Sequence, residues 1–240
     1  AFLENRTTLR VINLKNKQVR TVLDGKYNYS YADGDQYYQW SPDSKWFLAK
    51  YIAIGGWNNT DIVLVKADGS GEMTESGYSD NNAKWVLDGK AMIWSSDRAG
   101  YRSHGSWGAE DDIYIMFFDG EAYDKFRLTK EEQALLDEEK EDKDKDEKDK
   151  DSKKDKDSKK DKDKDDDKKD EKADKPVEPL KFDLANRKDR IMRLTVNSSF
   201  LGDAVLTQKG DKLYYCAAFE NGYDLWEHNF KENTCLLYTS

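Results

Sequence analysis

The chain repeats itself, and the repeat constrains its fold more than any other feature. Tyr38-Gln-Trp40-Ser-Pro-Asp-Ser-Lys-Trp-Phe-Leu-Ala, followed after a loop by Asp61-Ile-Val-Leu-Val-Lys-Ala-Asp-Gly, returns as Ala83-Lys-Trp85-Val-Leu-Asp-Gly-Lys-Ala-Met-Ile-Trp and then Asp112-Ile-Tyr-Ile-Met-Phe-Phe-Asp-Gly. Trp40 and Trp85 stand 45 residues apart, which matches the period of a four-stranded propeller blade. A third copy runs Ala204-Val-Leu206-Thr-Gln-Lys-Gly-Asp-Lys-Leu-Tyr-Tyr, with Asp224-Leu-Trp-Glu behind it. Residues 9–23 read as the closing hairpin of an earlier blade.

Each unit passes through the same events. A strand meets a polar turn (Pro42-Asp-Ser, Leu87-Asp-Gly, Lys209-Gly-Asp) and a second apolar strand follows. After a variable loop comes a strand led by Asp, then an Asp-Gly or Lys-Glu-Asn turn into a last, more polar strand. Gly, Asp, Asn and Ser hold the turns because they accept left-handed or Asx-type backbone at little cost. One such sheet cannot bury both its faces, and stacking neighbours radially is what buries them. Ile62 with Leu64 and Ile113 with Ile115 alternate as half-buried strands do, and helical periodicity is absent from the repeats. The expected fold is therefore all-β: a partial β-propeller of about three to four four-stranded blades, carrying a long charged insertion.

The insertion is compositional. Residues 137–175 hold 20 acidic and 16 basic side chains, broken only by Ser152, Ser158 and Ala173. Such a tract has nothing apolar to bury against its ordering entropy, so disorder is expected. Just before it, Thr129-Lys-Glu-Glu132 has capping-box spacing, and the helix formers after it predict one or two helical turns. The expected organisation is propeller blades over residues 1–130, the low-complexity insertion over 131–179 and a further blade over 180–234. A tract of this kind serves as a charged tether or partner-binding tail, or is a tolerated loop expansion, since closure entropy grows slowly with length. The strand pattern begins at once, so the chain is expected to start inside a longer protein. Residues 235–240, Cys-Leu-Leu-Tyr-Thr-Ser, resemble the translation of a sequencing-library adapter and are expected to be foreign to it. On that count Cys216, in an apolar run, stands alone as a buried free thiol, and no disulfide or redox compartment is implied.

Composition excludes several function classes. Of 49 acidic and 40 basic residues, the 36 charges of residues 137–175 leave a remainder of net charge −5, no basis for a nucleic-acid partner. No run of 18 apolar residues is present, so no segment reads as a membrane-spanning helix. His104 and His228 lie 124 positions apart with no metal-ligand spacing. There is no Gly-x-Ser-x-Gly elbow, and Glu110-Asp-Asp112 lacks EF-hand spacing. No catalytic residue, metal site or cofactor is therefore expected. Asn-x-Ser/Thr sequons at Asn5, Asn28, Asn58 and Asn197 matter only in a glycosylating pathway.

Two loops hold the candidate site, Ile54-Gly-Gly-Trp-Asn-Asn59 and Ser95-Ser-Asp-Arg-Ala-Gly-Tyr-Arg-Ser-His-Gly-Ser-Trp107. Both follow the second strand of their blades and so are expected on one face of the disc. Trp57, Arg98, Arg102 and Trp107 there can bind peptide by stacking and by guanidinium–carboxylate pairing, or the aromatics pack loop against loop.

Trp40-Ser-Pro-Asp-Ser-Lys-Trp, Ser95-Ser-Asp-Arg-Ala-Gly and Asp112-Ile-Tyr-Ile-Met resemble the propeller repeats shared by TolB, prolyl oligopeptidases and tricorn proteases. Leu180-Lys-Phe-Asp-Leu-Ala-Asn-Arg-Lys-Asp-Arg-Ile, Leu194-Thr-Val-Asn-Ser-Ser and Gly222-Tyr-Asp-Leu-Trp are most similar to tricorn-type serine peptidases of Bacteroidota, which share a Lys/Asp/Glu-rich insertion just ahead of that segment. The resemblance covers nearly all of residues 1–234. It implies an oligopeptide-degrading enzyme whose PDZ-like module and Ser-bearing core lie outside this chain, with the propeller governing substrate access. Nothing here matches the core's motifs, so the resemblance carries over no catalytic residue. A prolyl-oligopeptidase-type enzyme and a non-catalytic TolB-like scaffold for protein partners are the alternatives. The same resemblance leaves bacterial cytoplasm or periplasm, and a homo-oligomer, open.

Overall fold

The computed structural model of the chain describes residues 1–34, 36–52, 59–73, 78–102, 108–139, 179–220 and 222–238. They belong to two compact units, Ala1–Phe126 with Glu178–Ser240, and Arg127–Val177.

The first unit holds four antiparallel sheets among the described residues. One is three-stranded, β1 (Phe2–Glu4), β2 (Thr8–Ile12) and β3 (Val19–Leu23); the next is β4 (Tyr38–Trp40), β5 (Trp46–Tyr51), β6 (Asp61–Lys66) and β7 (Gly71–Met73). The third is β8 (Asp80–Val86), β9 (Ala91–Ser96), β10 (Asp112–Phe117) and β11 (Ile191–Arg193), and the last is β12 (Phe200–Leu206), β13 (Lys212–Ala218), β14 (Tyr223–Asn229) and β15 (Thr234–Leu237). Every sheet is a meander whose sequence neighbours pair, which makes the fold an all-β partial propeller with blades one to four in chain order.

Register explains why β5, β6, β9 and β10 are apolar on consecutive residues. Side chains alternate across a strand. Phe47, Ala49, Tyr51, Val63 and Val65 accordingly pack on Leu9, Val22 and Leu23 of the first blade. Leu48, Ile62 and Leu64, one residue out of phase, pack on Met92, Trp94, Tyr114 and Met116 of the third. The same division recurs one blade on, where Ala91, Ile93, Ile113, Ile115 and Phe117 meet Ala204, Leu206, Leu213, Tyr215 and Ala217. Strands expected to be half-buried are thus buried on both faces wherever a blade has two neighbours.

The polar turn after each first strand is a repeated device in blades two and four. Ser41 Oγ donates to Asp43 Oδ1 (2.6 Å) and accepts from Trp46 N (2.9 Å). Thr207 Oγ1 likewise donates to Asp211 Oδ1 (2.6 Å) and accepts from Lys212 N (3.1 Å). In blades two and three, the residue just ahead of the third strand bonds the start of the next blade. Asp80 N donates to Thr60 O (2.7 Å), and Asp111 and Ser199 exchange both backbone bonds (2.8 and 3.1 Å).

The third blade departs from the expected order of events. Asp119-Gly120 does not turn into a fourth strand: Asp119 Oδ1 accepts from Ala122 N at 2.7 Å and caps a helix, α1 (Gly120–Arg127). Ala122, Tyr123 and Phe126 of α1 lie at helical spacing and pack against the core between blades three and four. The fourth strand arrives only as β11, so in chain order the charged tract falls within a blade, between its third and fourth strands. The returning chain is pinned: Leu180 N donates to Asp43 Oδ2 (2.9 Å) and Phe182 packs on Trp46, Trp85 and Phe118. Arg190, 7% exposed, donates to Phe117 O (3.0 Å) and Asp183 Oδ2 (2.9 Å).

In the second unit, residues 130–139 are helical. Thr129 and Glu132 form the reciprocal capping box, Glu132 Oε2 accepting from Thr129 N (2.8 Å) and Thr129 Oγ1 from Glu132 N (3.2 Å).

Candidate functional site

At one end of the third blade β8 begins, β9 ends, β10 begins and β11 ends. Register puts Asp80 opposite Ser96 and Ser96 opposite Asp112, while Arg193 lies opposite Tyr114. β8, β10 and β11 each contribute a charged residue where they enter or leave the sheet (Asp80, Asp112 and Arg193), and the chain just past β9 adds Asp97, Arg98 and Arg102.

Three of the aspartates are each bound by an arginine. Arg98 grips Asp80 with one nitrogen bonded to both carboxylate oxygens at 3.0 Å, while its Nε donates to Ser96 Oγ (2.9 Å). Arg102 Nε reaches Asp97 Oδ2 at 3.0 Å, and Ser79 N donates to the other oxygen (3.0 Å). Arg193 Nε donates to Asp112 Oδ1 (2.8 Å), joined there by Thr195 Oγ1 (2.6 Å) and, on Oδ2, by Ser198 Oγ (2.7 Å). Asp97 and Asp112 have fully buried side chains and Asp80 is 8% exposed. Carboxylates so buried persist only when paired and hydrogen-bonded, as these are. Aromatic faces hold the guanidiniums from the other side. Arg98 lies 4.9 Å from the Tyr114 ring centre and 5.4 Å from Trp94, and Arg102 lies 5.3 Å from Tyr78.

Asp111 has no arginine of its own. Its half-buried carboxyl is pushed up to about 6, first by burial and then by Asp97, Asp112 and Asp80. Burial, with Asp112 nearby, also raises the Tyr114 hydroxyl. Gly100 fixes the approach of the loop to this strand: a Cβ there would stand 1.9 Å from Glu110 O, so only glycine lets the backbones meet. Glu110 N donates to Tyr101 O (2.9 Å) across the contact.

Of the residues expected to bind peptide, the structure brings Arg98 and Arg102 into this cluster. Trp57, Trp107 and His104 lie outside the described residues. The strand ends flanking both loops do share one end of the blades, since Thr60 bonds Asp80. Asp80, Asp97 and Arg193 were not singled out by sequence reasoning. Their one signal was a charged residue beside each strand end, and nothing local says that such residues meet. Away from the cluster, Lys84 Nζ joins the first strands of blades three and four through Asp203 and Ala204 O. His228 bonds Leu194 O through Nδ1 (2.7 Å) and packs on Phe230. Cys216 is a free, partly exposed thiol. Among the described residues no group of three His, Cys, Asp or Glu side chains is arranged to hold a metal ion, and no helix is long and apolar enough to cross a membrane.

No protein-family model matches the chain, and no curated protein sequence matches it. Among solved structures, the tricorn protease is similar at TM-score 0.54 and 10% identity, over 97% of this chain and 20% of that one. TolB from Acinetobacter baumannii is similar at TM-score 0.48 and 15% identity, over 100% of this chain and 39% of that one. The chain thus spans well under half the length of either. What the likeness to the tricorn protease shows is the fold, a run of β-propeller blades.

Proposed function

We propose that this chain is a non-catalytic propeller segment of a tricorn-like serine peptidase, serving substrate access by holding oligopeptides at the loop end of its third blade. The observation that supports this best is Arg102. Its guanidinium is fixed by Asp97 on one side and by the Tyr78 ring on another, yet 40% of the side chain stays exposed. A cation held in one orientation by buried partners loses little entropy when it meets a carboxylate, which suits it to an oligopeptide's free carboxylate. Arg98 keeps the floor of the site in place. Trp57 and Trp107, in the connections after β5 and β9, supply stacking surfaces in this scheme. The chemistry belongs to a PDZ-like module and a serine-bearing core of the same polypeptide.

Calorimetric titration of the full chain with the pentapeptide Ala-Ala-Leu-Ala-Ala tests it. Binding is expected, weakened about tenfold by Arg102→Ala and by amidating the peptide carboxylate, with no cleavage. Absence of binding, or binding indifferent to both changes, refutes the proposal, and hydrolysis by the pure chain refutes its non-catalytic part.

A further inference from the structure

We infer that Asp111, with Ser199 beside it, is a receptor for a primary ammonium group, the free amino terminus of a bound oligopeptide. This rests on the peptide-binding role proposed above and names a second anchor within the same site. The inference follows from how the cluster is shared out. Arg98 takes Asp80, Arg102 takes Asp97 and Arg193 takes Asp112, so four aspartates face three guanidiniums and Asp111 is the one left over. Among the described residues no donor meets its carboxylate. Its backbone N–H and C=O are both spent on Ser199.

Ser199 supplies the independent sign that something is missing. It is 2% exposed, and its Oγ has no hydrogen-bond partner among the described residues. Residues that exchange both backbone bonds across an antiparallel pair carry their side chains on the same face, with Cβ atoms about 5 Å apart. The Ser199 hydroxyl and the Asp111 carboxylate therefore share one side of the Asp111–Ser199 bridge, where blades three and four meet. Ser199 is closed in while Asp111 is still partly open to solvent. One anionic and one neutral acceptor suit a group with three N–H donors and a single positive charge. They do not suit a calcium ion, which needs about six to eight oxygens. Arg102, bound to Asp97 in the same cluster, offers a cation for a peptide carboxylate.

The test uses the full chain at neutral pH with three pentapeptides: Ala-Ala-Leu-Ala-Ala, its N-acetyl form, and N-acetyl-Ala-Lys-Leu-Ala-Ala. Acetylation is expected to weaken binding about tenfold, and in Asp111→Asn this discrimination disappears. Ser199→Ala weakens the free-amine peptide selectively. If the acetylated lysine peptide binds as well as the free-amine one, a side-chain ammonium is the natural ligand and the amino-terminal assignment is overturned. Equal binding of the first two peptides to the parent chain overturns the ammonium site while leaving peptide binding intact. Should no peptide bind at all, the proposed function fails by itself. The site is then decided with n-butylammonium alone: a saturating shift of the Asp111 carboxyl carbon resonance supports it, and no shift overturns it.

Discussion

Replacing Asp111 by Asn removes the one carboxylate of the cluster without an arginine, and the structure fixes both the sign and the size of the effect. The Asp111 carboxyl moves from an ordinary value of 3.8 to about 6. A shift of about two units corresponds to a ceiling of about 3 kcal/mol. Because the group is partly open to water, screening reduces this to about 1–2 kcal/mol. Below the ordinary value Asp111 is protonated in both the folded and unfolded chain, and its charge costs nothing. Between 3.8 and about 6 the folded chain binds more protons than the unfolded one, so stability falls as pH rises. Above that window the full cost is present. Asp111→Asn is therefore expected to be more stable than the parent by about 1–2 kcal/mol well above pH 6, with the advantage closing as pH falls through the window. Urea titrations followed by tryptophan fluorescence, run at several pH values, measure it as a change in midpoint at constant m. Asparagine can alter local hydrogen bonding by a fixed amount, so the pH dependence of the difference is the diagnostic quantity. A difference that stays constant with pH, or that favours the parent increasingly as pH rises, would refute the electrostatic account of this cluster.

Further predictions concern the framework around it. Arg98→Ala takes away the guanidinium paired with Asp80, 8% exposed, and should cost about 2–4 kcal/mol in a chemical melt; Arg98→Lys should recover only part of that, because an ammonium lacks the planar guanidinium's fork and its face-on packing against the aromatics. Gly100→Ala pushes a methyl into Glu110 O and should cost at least about 2 kcal/mol, so a change under about 0.5 kcal/mol would show that the contact is dispensable. Ile115→Ala, at a position with no exposure between blades three and four, should lower stability by about 2–5 kcal/mol. Exchanging residues 140–178 for a Gly/Ser tract of equal length should change the unfolding free energy by less than about 1 kcal/mol, since loop-closure entropy depends chiefly on length; a larger loss would mean that the charges themselves support the blades.

Much of the architecture is written locally. The recurrence of Trp40 at Trp85, the Asp that leads β6 and β10, and the turns at Ser41 and Thr207 each act within a few residues of themselves, so strand, turn and period can be recognised without knowing what packs on what. The capping box at Thr129 and Glu132 is legible for the same reason. Helix α1 was not, because Asp119-Gly120 is equally good chemistry for a hairpin turn and for a helix start. The choice is made by Tyr123 and Phe126, which find Phe117 and Phe230 to pack on.

The candidate site divides the same way. Arg98 and Arg102 could be singled out because they sit together in one loop. Their partners could not, because Asp80 precedes Arg98 by 18 residues, and Arg193 follows Asp112 by 81 across the charged tract. A propeller stacks its sheets by pairing alternate faces, and that stacking brings strand ends distant in sequence to one edge. The blades and their period can be read from the residues alone. That β11 closes a blade opened before the insertion, and that Asp111 is the aspartate left without an arginine, follow from the fold. Burial and charge pairing belong to neighbours in space, and the chain specifies those neighbours only when it is folded.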